Sequence, residues 1–190
     1  MNFDTLTKSM LTCEQTKGQS VFQHGQSVRE HFLDLIEDRL DVFRIPEWFT
    51  KYKEKITSNF YSKDVVEQYL VFHDCGKPNC KTIDNEGKTH FPNHAEVSKE
   101  TYLKYDGNVT VANLIGWDMV VHTATSEEIK RYLENVWTKQ DALTLLVAAL
   151  AEVHSNAKLF DGIESVSFKS KWKKIDKRGN QICKHFFEEK

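Results

Sequence analysis

Proline and glycine are scarce in this chain, with 3 and 8 residues among 190, whereas phenylalanine alone occurs 12 times. Disordered and fibrous proteins are rich in proline and glycine and poor in aromatic residues, so the composition favours ordered helices. With 39% hydrophobic residues, the chain can bury one substantial core and has little room for two. We therefore expect a single domain over residues 1–190, with a core of about 16–162 and a basic C-terminal extension of 163–190.

The sequence also lacks an apolar run long enough to cross a membrane. The longest run, 142–151, has about half the length that a transmembrane helix needs, and we expect it to be a buried core helix. The first residues do not combine a basic segment, an apolar segment and a small-residue cleavage site, as a signal peptide does. These features predict a cytoplasmic protein with no membrane contact.

Neither a cysteine motif nor a glycine-rich phosphate loop is present. Cys13, Cys75, Cys80 and Cys183 follow no recurring spacing, so free thiols are expected. Cys75 and Cys80 have no second pair with which to form a zinc clip. Without the glycine-rich loop, ATP-driven chemistry is not expected.

The net charge of −2 is unevenly distributed. Seven basic residues and one acidic residue between 169 and 184 give that segment a charge of +6 and leave −8 for the rest. A basic segment on an acidic body is a candidate nucleic-acid contact, although a solvated face is the simpler interpretation. Within it, residues 177–180 (Lys-Arg-Gly-Asn) are a candidate turn for a C-terminal β-hairpin.

A His-Asp doublet stands where the backbone is expected to bend. Residues 64–70 have apolar side chains at helical spacing, and Gly76 is well placed as a left-handed helix cap. His73 and Asp74 are therefore predicted to lie at the end of a helix and to be aimed off it. Lys77 follows as a positive point charge that can hold a phosphate or another anion.

Three further histidines, His24, His94 and His122, lie in helix-like segments. His24 shares a face with Val28 and Phe32, so its imidazole is expected to point inward. Taken alone, such a histidine is more often a hydrogen-bonded core residue than a ligand. The three histidines become candidate metal ligands because one precedes the His73-Asp74 doublet and two follow it.

A new helix is predicted immediately after His122. Thr125 and Glu128 have the spacing of a capping box, which marks the start of a helix. That helix presents Lys130 and Arg131, either of which could reach a phosphate.

The ordered series His, His-Asp, His, His resembles the HD superfamily of metal-dependent phosphohydrolases, and the resemblance runs from about Thr16 to about Gly162. Residues 73–78 and 84–97 are especially similar to the HD module attached to tRNA nucleotidyltransferases and RNA end-repair enzymes. The resemblance implies an all-α fold, an HD-domain-like helical bundle. The polar run 84–87 adds a short hairpin near residues 81–91, across the mouth of the site.

The resemblance also implies a centre that holds one or two divalent ions (Mn, Fe, Co, Ni or Zn), which mixed imidazole and carboxylate ligands suit. Its ligands would be His24, His73, Asp74, His94, His122 and a carboxylate on the helix near residue 150. Superfamily members usually supply an aspartate there, whereas this chain has Glu152 at the matching position. Glu152 is preferred because an unpaired carboxylate on that apolar face would be costly, with His154 and Asp161 as alternatives.

Such a centre is expected to hydrolyse a nucleotide or RNA-end phosphoester, either a phosphomonoester or a 2′,3′-cyclic phosphodiester, with a metal-activated water. Asp74 would bridge the ions, Lys77 would neutralise charge on the phosphate, and Arg131 would contact the substrate. One alternative is oxygenase chemistry, because a minority of HD proteins with this ligand series use a di-iron centre to activate O₂. Another is a non-catalytic nucleotide-binding module, supported only by the glutamate at position 152.

Overall fold

The computed structural model describes residues 2–41, 43–105 and 107–188 of the chain. The described residues are mostly helical. The elements in chain order are α1 (Phe3–Thr12), β1 (Glu14–Thr16), β2 (Gln19–Ser20), α2 (Val21–Ile36), α3 (Glu47–Thr57), α4 (Lys63–Phe72), α5 (Lys77–Cys80), β3 (Thr82–Ile83), β4 (Thr89–His90), α6 (His94–Lys104), α7 (Val109–Trp117), α8 (Val120–Thr123), α9 (Ser126–Asn135), α10 (Lys139–Ser155), a 3₁₀ turn (Ala157–Phe160) and α11 (Val166–Phe187).

The only sheets among the described residues are two antiparallel hairpins, β1–β2 and β3–β4. In the second hairpin Thr82 pairs with His90 and Ile83 with Thr89. The all-α fold with a short hairpin near residues 81–91 is thus confirmed. The first hairpin was not predicted from the sequence.

The chain forms two compact units. Unit 1 comprises the chain up to Arg29 together with 63–118, and unit 2 comprises 30–62 together with the chain from Met119 onward. The expectation of a single domain stays a prediction, because the compactness of each unit does not measure whether it folds independently.

The core of unit 1 is formed by α4, α6 and α7 with the N-terminal part of α2. The apolar face of α7 is fully buried, and Leu70 and Tyr102 pack in the same interior. Tyr102 donates a hydrogen bond to Gln68 Oε1 at 2.6 Å, which satisfies its hydroxyl at the edge of this core. The resulting scaffold carries the His-Asp doublet at the end of α4.

Unit 2 is built around α10, which is buried along 141–151. Its N-terminus is fixed by a capping box: the Thr138 side chain accepts from Asp141 N–H, and the Asp141 carboxylate accepts from Thr138 N–H. Tyr61 also donates to this carboxylate at 2.8 Å. The predicted capping box of Thr125 and Glu128 at the start of α9 is confirmed as well.

The predicted C-terminal β-hairpin is wrong, because α11 runs as one helix through residues 177–180. Ser165 caps it by accepting from Phe168 N–H at 3.0 Å. Gly179, which suggested a turn, lies on the buried face of α11. A β-carbon there would approach the Trp48 indole to 2.1 Å, so glycine allows close packing rather than a bend.

Among the described residues, no helix combines the length and the apolar character that spanning a bilayer requires.

Candidate metal centre

His73 and Asp74 begin a four-residue turn between α4 and α5, directly after the last residue of α4. The predicted position at the end of a helix is therefore correct, but the predicted left-handed cap is wrong, since Gly76 has φ −85°. Glycine is needed there for close approach: a β-carbon at residue 76 would lie 2.4 Å from Ser98 N. The Ser98 hydroxyl also accepts a 2.9 Å hydrogen bond from Gly76 N–H, which fixes α6 against the turn.

Close packing also positions His24. The neighbouring residue, Gly25, faces Val71 of α4, and a β-carbon at residue 25 would lie 2.2 Å from Val71 O. The His24 and His73 rings meet edge to face with centroids 5.2 Å apart. Each ring offers a nitrogen within 4.8 Å of one on the other ring. The expectation that His24 points inward is confirmed, since its side chain is 1% exposed.

Three imidazoles surround the carboxylate of Asp74. Its Oδ2 atom lies 3.2 Å from His73 Nε2 and 3.7 Å from His24 Nε2. Its Oδ1 atom lies 3.7 Å from His94 Nε2. Unit 1 therefore brings together four of the predicted ligands, and the two carboxylate oxygens face different imidazoles, as a bridging carboxylate would.

The main chain sets the orientation of two of these rings. His73 Nδ1 donates to Leu70 O at 2.8 Å, and His94 Nδ1 donates to Phe91 O at 3.1 Å. With Nδ1 engaged as the donor, Nε2 is the ring nitrogen that faces Asp74 in both residues. A histidine whose other nitrogen donates to a backbone carbonyl is the usual arrangement of a metal ligand.

Lys77 is the nearest cation to Asp74. Its Nζ donates to Asp74 Oδ2 at 2.6 Å and to Gln15 Oε1 at 3.0 Å, and it lies 5.3 Å from the centre of the Phe91 ring. Burial alone would raise the pKa of Asp74, but the charge of Lys77, followed by His73 and His24, outweighs it and holds that pKa well below its usual range. Asp74 is therefore an anion despite being 2% exposed.

The donor set fits a transition metal ion. Around one ion with metal–nitrogen bonds of about 2.1 Å, neighbouring donor atoms lie about 3.0–3.4 Å apart in octahedral or tetrahedral geometry. The separations of 3.2 and 3.7 Å at Asp74 are close to these values. A cation shared by the buried carboxylate and the imidazole nitrogens around it would further stabilise this cluster.

The other two predicted ligands meet in unit 2. His122 Nε2, from α8, lies 2.9 Å from Glu152 Oε2, from α10, and both side chains are nearly one-fifth exposed. Glu152 therefore has an imidazole partner, as its place on an apolar helix requires. The binding of a metal by His122 and Glu152 stays a prediction.

The two alternatives to Glu152, which are His154 and Asp161, have different surroundings from it. Both ring nitrogens of His154 are engaged, because Nδ1 donates to Leu150 O at 2.7 Å and Nε2 accepts from Arg44 N–H at 3.0 Å. Burial lowers the pKa of His154 to about 4, so the ring is a neutral core residue packed against Phe168. Asp161 is exposed and follows the 3₁₀ turn with φ 61°.

His122 and Glu152 open onto a pocket of ≈230 Å³ in unit 2. The pocket is lined by Met119, His122, Thr123, Glu152, Val153, Asn156, Phe160, Lys171, Lys174 and Ile175. Among the described residues, the predicted substrate contact Arg131 is not part of this lining, and it is exposed on α9. Its role in binding substrate stays a prediction.

Sequence reasoning missed Lys171 and Lys174 as individual pocket residues, although both fall in the basic segment 169–184. Once α11 is known to be helical, residues three apart are neighbours on one face, and this spacing would have paired them. Gln15, the second acceptor of Lys77, carried no recognisable signal. Its position depends on the hairpin β1–β2, which the sequence did not reveal.

No family model, no curated protein and no solved structure matches this chain. The resemblance to the HD superfamily therefore stays a prediction from the sequence.

Proposed function

We propose that the protein is a metal-dependent phosphohydrolase that cleaves a nucleotide or RNA-end phosphoester with a metal-activated water. The observation that carries the proposal is the convergence of His24, His73 and His94 on the buried carboxylate of Asp74, with Lys77 beside it. Imidazoles oriented by backbone carbonyls around an anionic carboxylate form a donor set for one or two divalent transition metal ions.

A divalent cation bound there would supply a water of lowered pKa and a Lewis acid for a phosphoryl oxygen. The chain's own residues would orient that chemistry. Asp74 can serve two ions because its oxygens face different imidazoles, and the carbonyls of Leu70 and Phe91 keep the His73 and His94 rings in the ligating tautomer.

Lys77 has a charge that the substrate can use. Its Nζ is buried beside Asp74 and held by Gln15, so it is fixed at the site rather than moving freely in solvent. A positive charge with little exposure interacts more strongly with a phosphate than a surface lysine does. Lys77 would therefore neutralise the charge that builds on the phosphoryl oxygens during hydrolysis.

The test joins metal analysis to a phosphoester screen. Purified protein should retain a transition metal and release phosphate, or open a 2′,3′-cyclic phosphate, in the presence of Mn²⁺, Co²⁺ or Ni²⁺. Asp74→Asn should lose both metal and activity. His90→Gln is the matched control, since His90 is an exposed histidine of the same unit.

Three outcomes would overturn the proposal. One is a wild-type protein that binds no transition metal, and another is an Asp74→Asn variant that keeps its phosphoester activity. The third is tightly bound iron with O₂ consumption and no phosphate release, which would assign oxygenase chemistry to the same residues.

A further inference from the structure

The pocket of unit 2 has two lysines on one wall. Lys171 and Lys174 are three residues apart on α11, so their side chains leave the helix on one face and both line the pocket. The polar lining also includes His122 and Glu152. Two positive charges thus face a concave space that also contains two predicted metal ligands.

These lysine charges are available to a ligand. Among the described residues, no carboxylate oxygen lies within ion-pair distance of Lys171 or Lys174, whereas the nearby Lys169 is paired with Glu164 at 2.7 Å. Lys171 Nζ instead lies 5.0 Å from the centre of the Phe160 ring, which also lines the pocket. The aromatic face holds the ammonium group in place without cancelling its charge.

The size and the lining of the pocket restrict the ligand. Its volume of ≈230 Å³ lies below the range of about 300–1,000 Å³ that is usual for drug-sized ligands. Met119, Val153 and Ile175 provide apolar surface beside the lysines. An internal phosphodiester needs room for chain on both sides of the phosphorus, whereas a terminal phosphate needs room on one side only.

We propose that this pocket binds a terminal phosphate monoester, with Lys171 and Lys174 as its phosphate-binding residues. A phosphate monoester carries a charge of about −1.5 to −2 at neutral pH, which two ammonium groups match. The choice of phosphate among anions rests on the proposed phosphohydrolase function. The shared chemistry is the terminal phosphate, whether it belongs to a free nucleotide or to the end of an RNA chain.

Binding can be measured without catalysis. Isothermal titration calorimetry of the full chain in EDTA would use four probes: inorganic phosphate, 5′-AMP, adenosine and a 3′-phosphorylated hexanucleotide. Wild-type protein should bind the three phosphate-bearing probes more tightly than adenosine. Comparison of 5′-AMP with the hexanucleotide distinguishes a free nucleotide from an RNA end.

The variants are Lys171→Gln, Lys174→Gln and the double replacement. Each single change should weaken 5′-AMP binding roughly fivefold and the double change roughly twentyfold, because each removes one partly solvated charge contact. Lys173→Gln and Lys177→Gln are matched controls, since both lysines are exposed on α11 and neither is part of the pocket lining. Circular dichroism melting checks that every variant is folded.

The inference is overturned if wild-type protein prefers adenosine or binds no phosphate probe. It is also overturned if the folded double variant binds 5′-AMP within about twofold of wild type, or if the controls lose as much affinity. Lysine-dependent binding without any metal-dependent hydrolysis would support the phosphate-binding pocket and refute the proposed phosphohydrolase function. Hydrolysis that needs Asp74 but not the lysines would support the phosphohydrolase function and refute the role of the lysines in phosphate binding.

Discussion

Replacing Lys77 with methionine should lower the free energy of unfolding, and the loss should be larger without bound metal than with it. The Lys77 side chain is 11% exposed and its Nζ lies 2.6 Å from Asp74 Oδ2, so methionine keeps the approximate length of the side chain and removes the charge. Breaking a buried ion pair by removing one partner costs about 3–5 kcal/mol. We expect about 3 kcal/mol without metal, at the lower end of that range, because the nitrogen of His73 lies 3.2 Å from the same oxygen and still faces the carboxylate.

A bound cation would take over the charge that Lys77 supplies. With saturating Mn²⁺ the loss should therefore fall to about 1 kcal/mol, so the variant gains about 2 kcal/mol more from the metal than wild type does. By linkage, Lys77→Met should bind the metal roughly thirtyfold more tightly, even though its phosphoester hydrolysis is weakened. Tighter metal binding with poorer hydrolysis is not expected of a mutation that only damages the fold.

The measurement is urea unfolding of the full chain in EDTA and in Mn²⁺, with metal affinity from competition against a chelating dye. Lys81→Met is the control, since Lys81 is an exposed lysine in the same unit. An equal loss of stability with and without metal would refute the placement of a cation at Asp74. No loss in EDTA would refute the importance of the Lys77–Asp74 pair itself.

Three further changes test other parts of the structure. Gly76→Ala should destabilise the protein by about 3 kcal/mol in urea unfolding and lower its metal content, because the new β-carbon meets the backbone of Ser98; unchanged stability would contradict that close approach. Burial lowers the pKa of His154 to about 4, so the folded chain favours the neutral ring. The contribution of His154 to the free energy of unfolding is therefore fully present above pH 6.5 and is lost as the pH falls toward 4. That loss is about 3 kcal/mol, seen as a fall in unfolding free energy that a His154→Gln variant should lack. Thr138→Ala, which removes the N-cap of α10, should cost about 1 kcal/mol in the same assay, and Thr50→Ala, at an exposed position inside α3, is its control.

The sequence predicted the elements whose signals are local. Helical spacing of apolar residues located α2, the apolar run 142–151 located α10, and the pair Thr125 and Glu128 marked the start of α9. Turn residues 84–87 predicted the hairpin β3–β4. Each of these signals lies within a few residues of the feature that it predicts.

Glycine was misinterpreted where its role is set by a distant residue. Gly179 suggested a turn and is in fact the point where α11 meets Trp48, and Gly76 suggested a left-handed cap and is in fact the point where the turn meets Ser98. Neither partner is close in sequence. The presence of a glycine in the sequence therefore did not distinguish a bend from a close contact with a distant residue.

The candidate site residues also fall into those with a local sequence signal and those whose surroundings depend on distant parts of the chain. The His73-Asp74 doublet could be found because its two residues are adjacent. The sequence favoured Glu152 over His154 because of its apolar face, but it could not show that Arg44 N–H, far away in the chain, occupies the second ring nitrogen of His154. Lys171 and Lys174 became a pair only when the C-terminal segment proved to be helical.

The hydrogen bonds from His73 to Leu70 O and from His94 to Phe91 O each span three residues. The orientation of each ring thus depends on the length of the short segment before it. Inserting or deleting a single residue at 71–72 or 92–93 would turn an imidazole away from Asp74. Segment length is therefore the property that a variant library of this centre should hold constant.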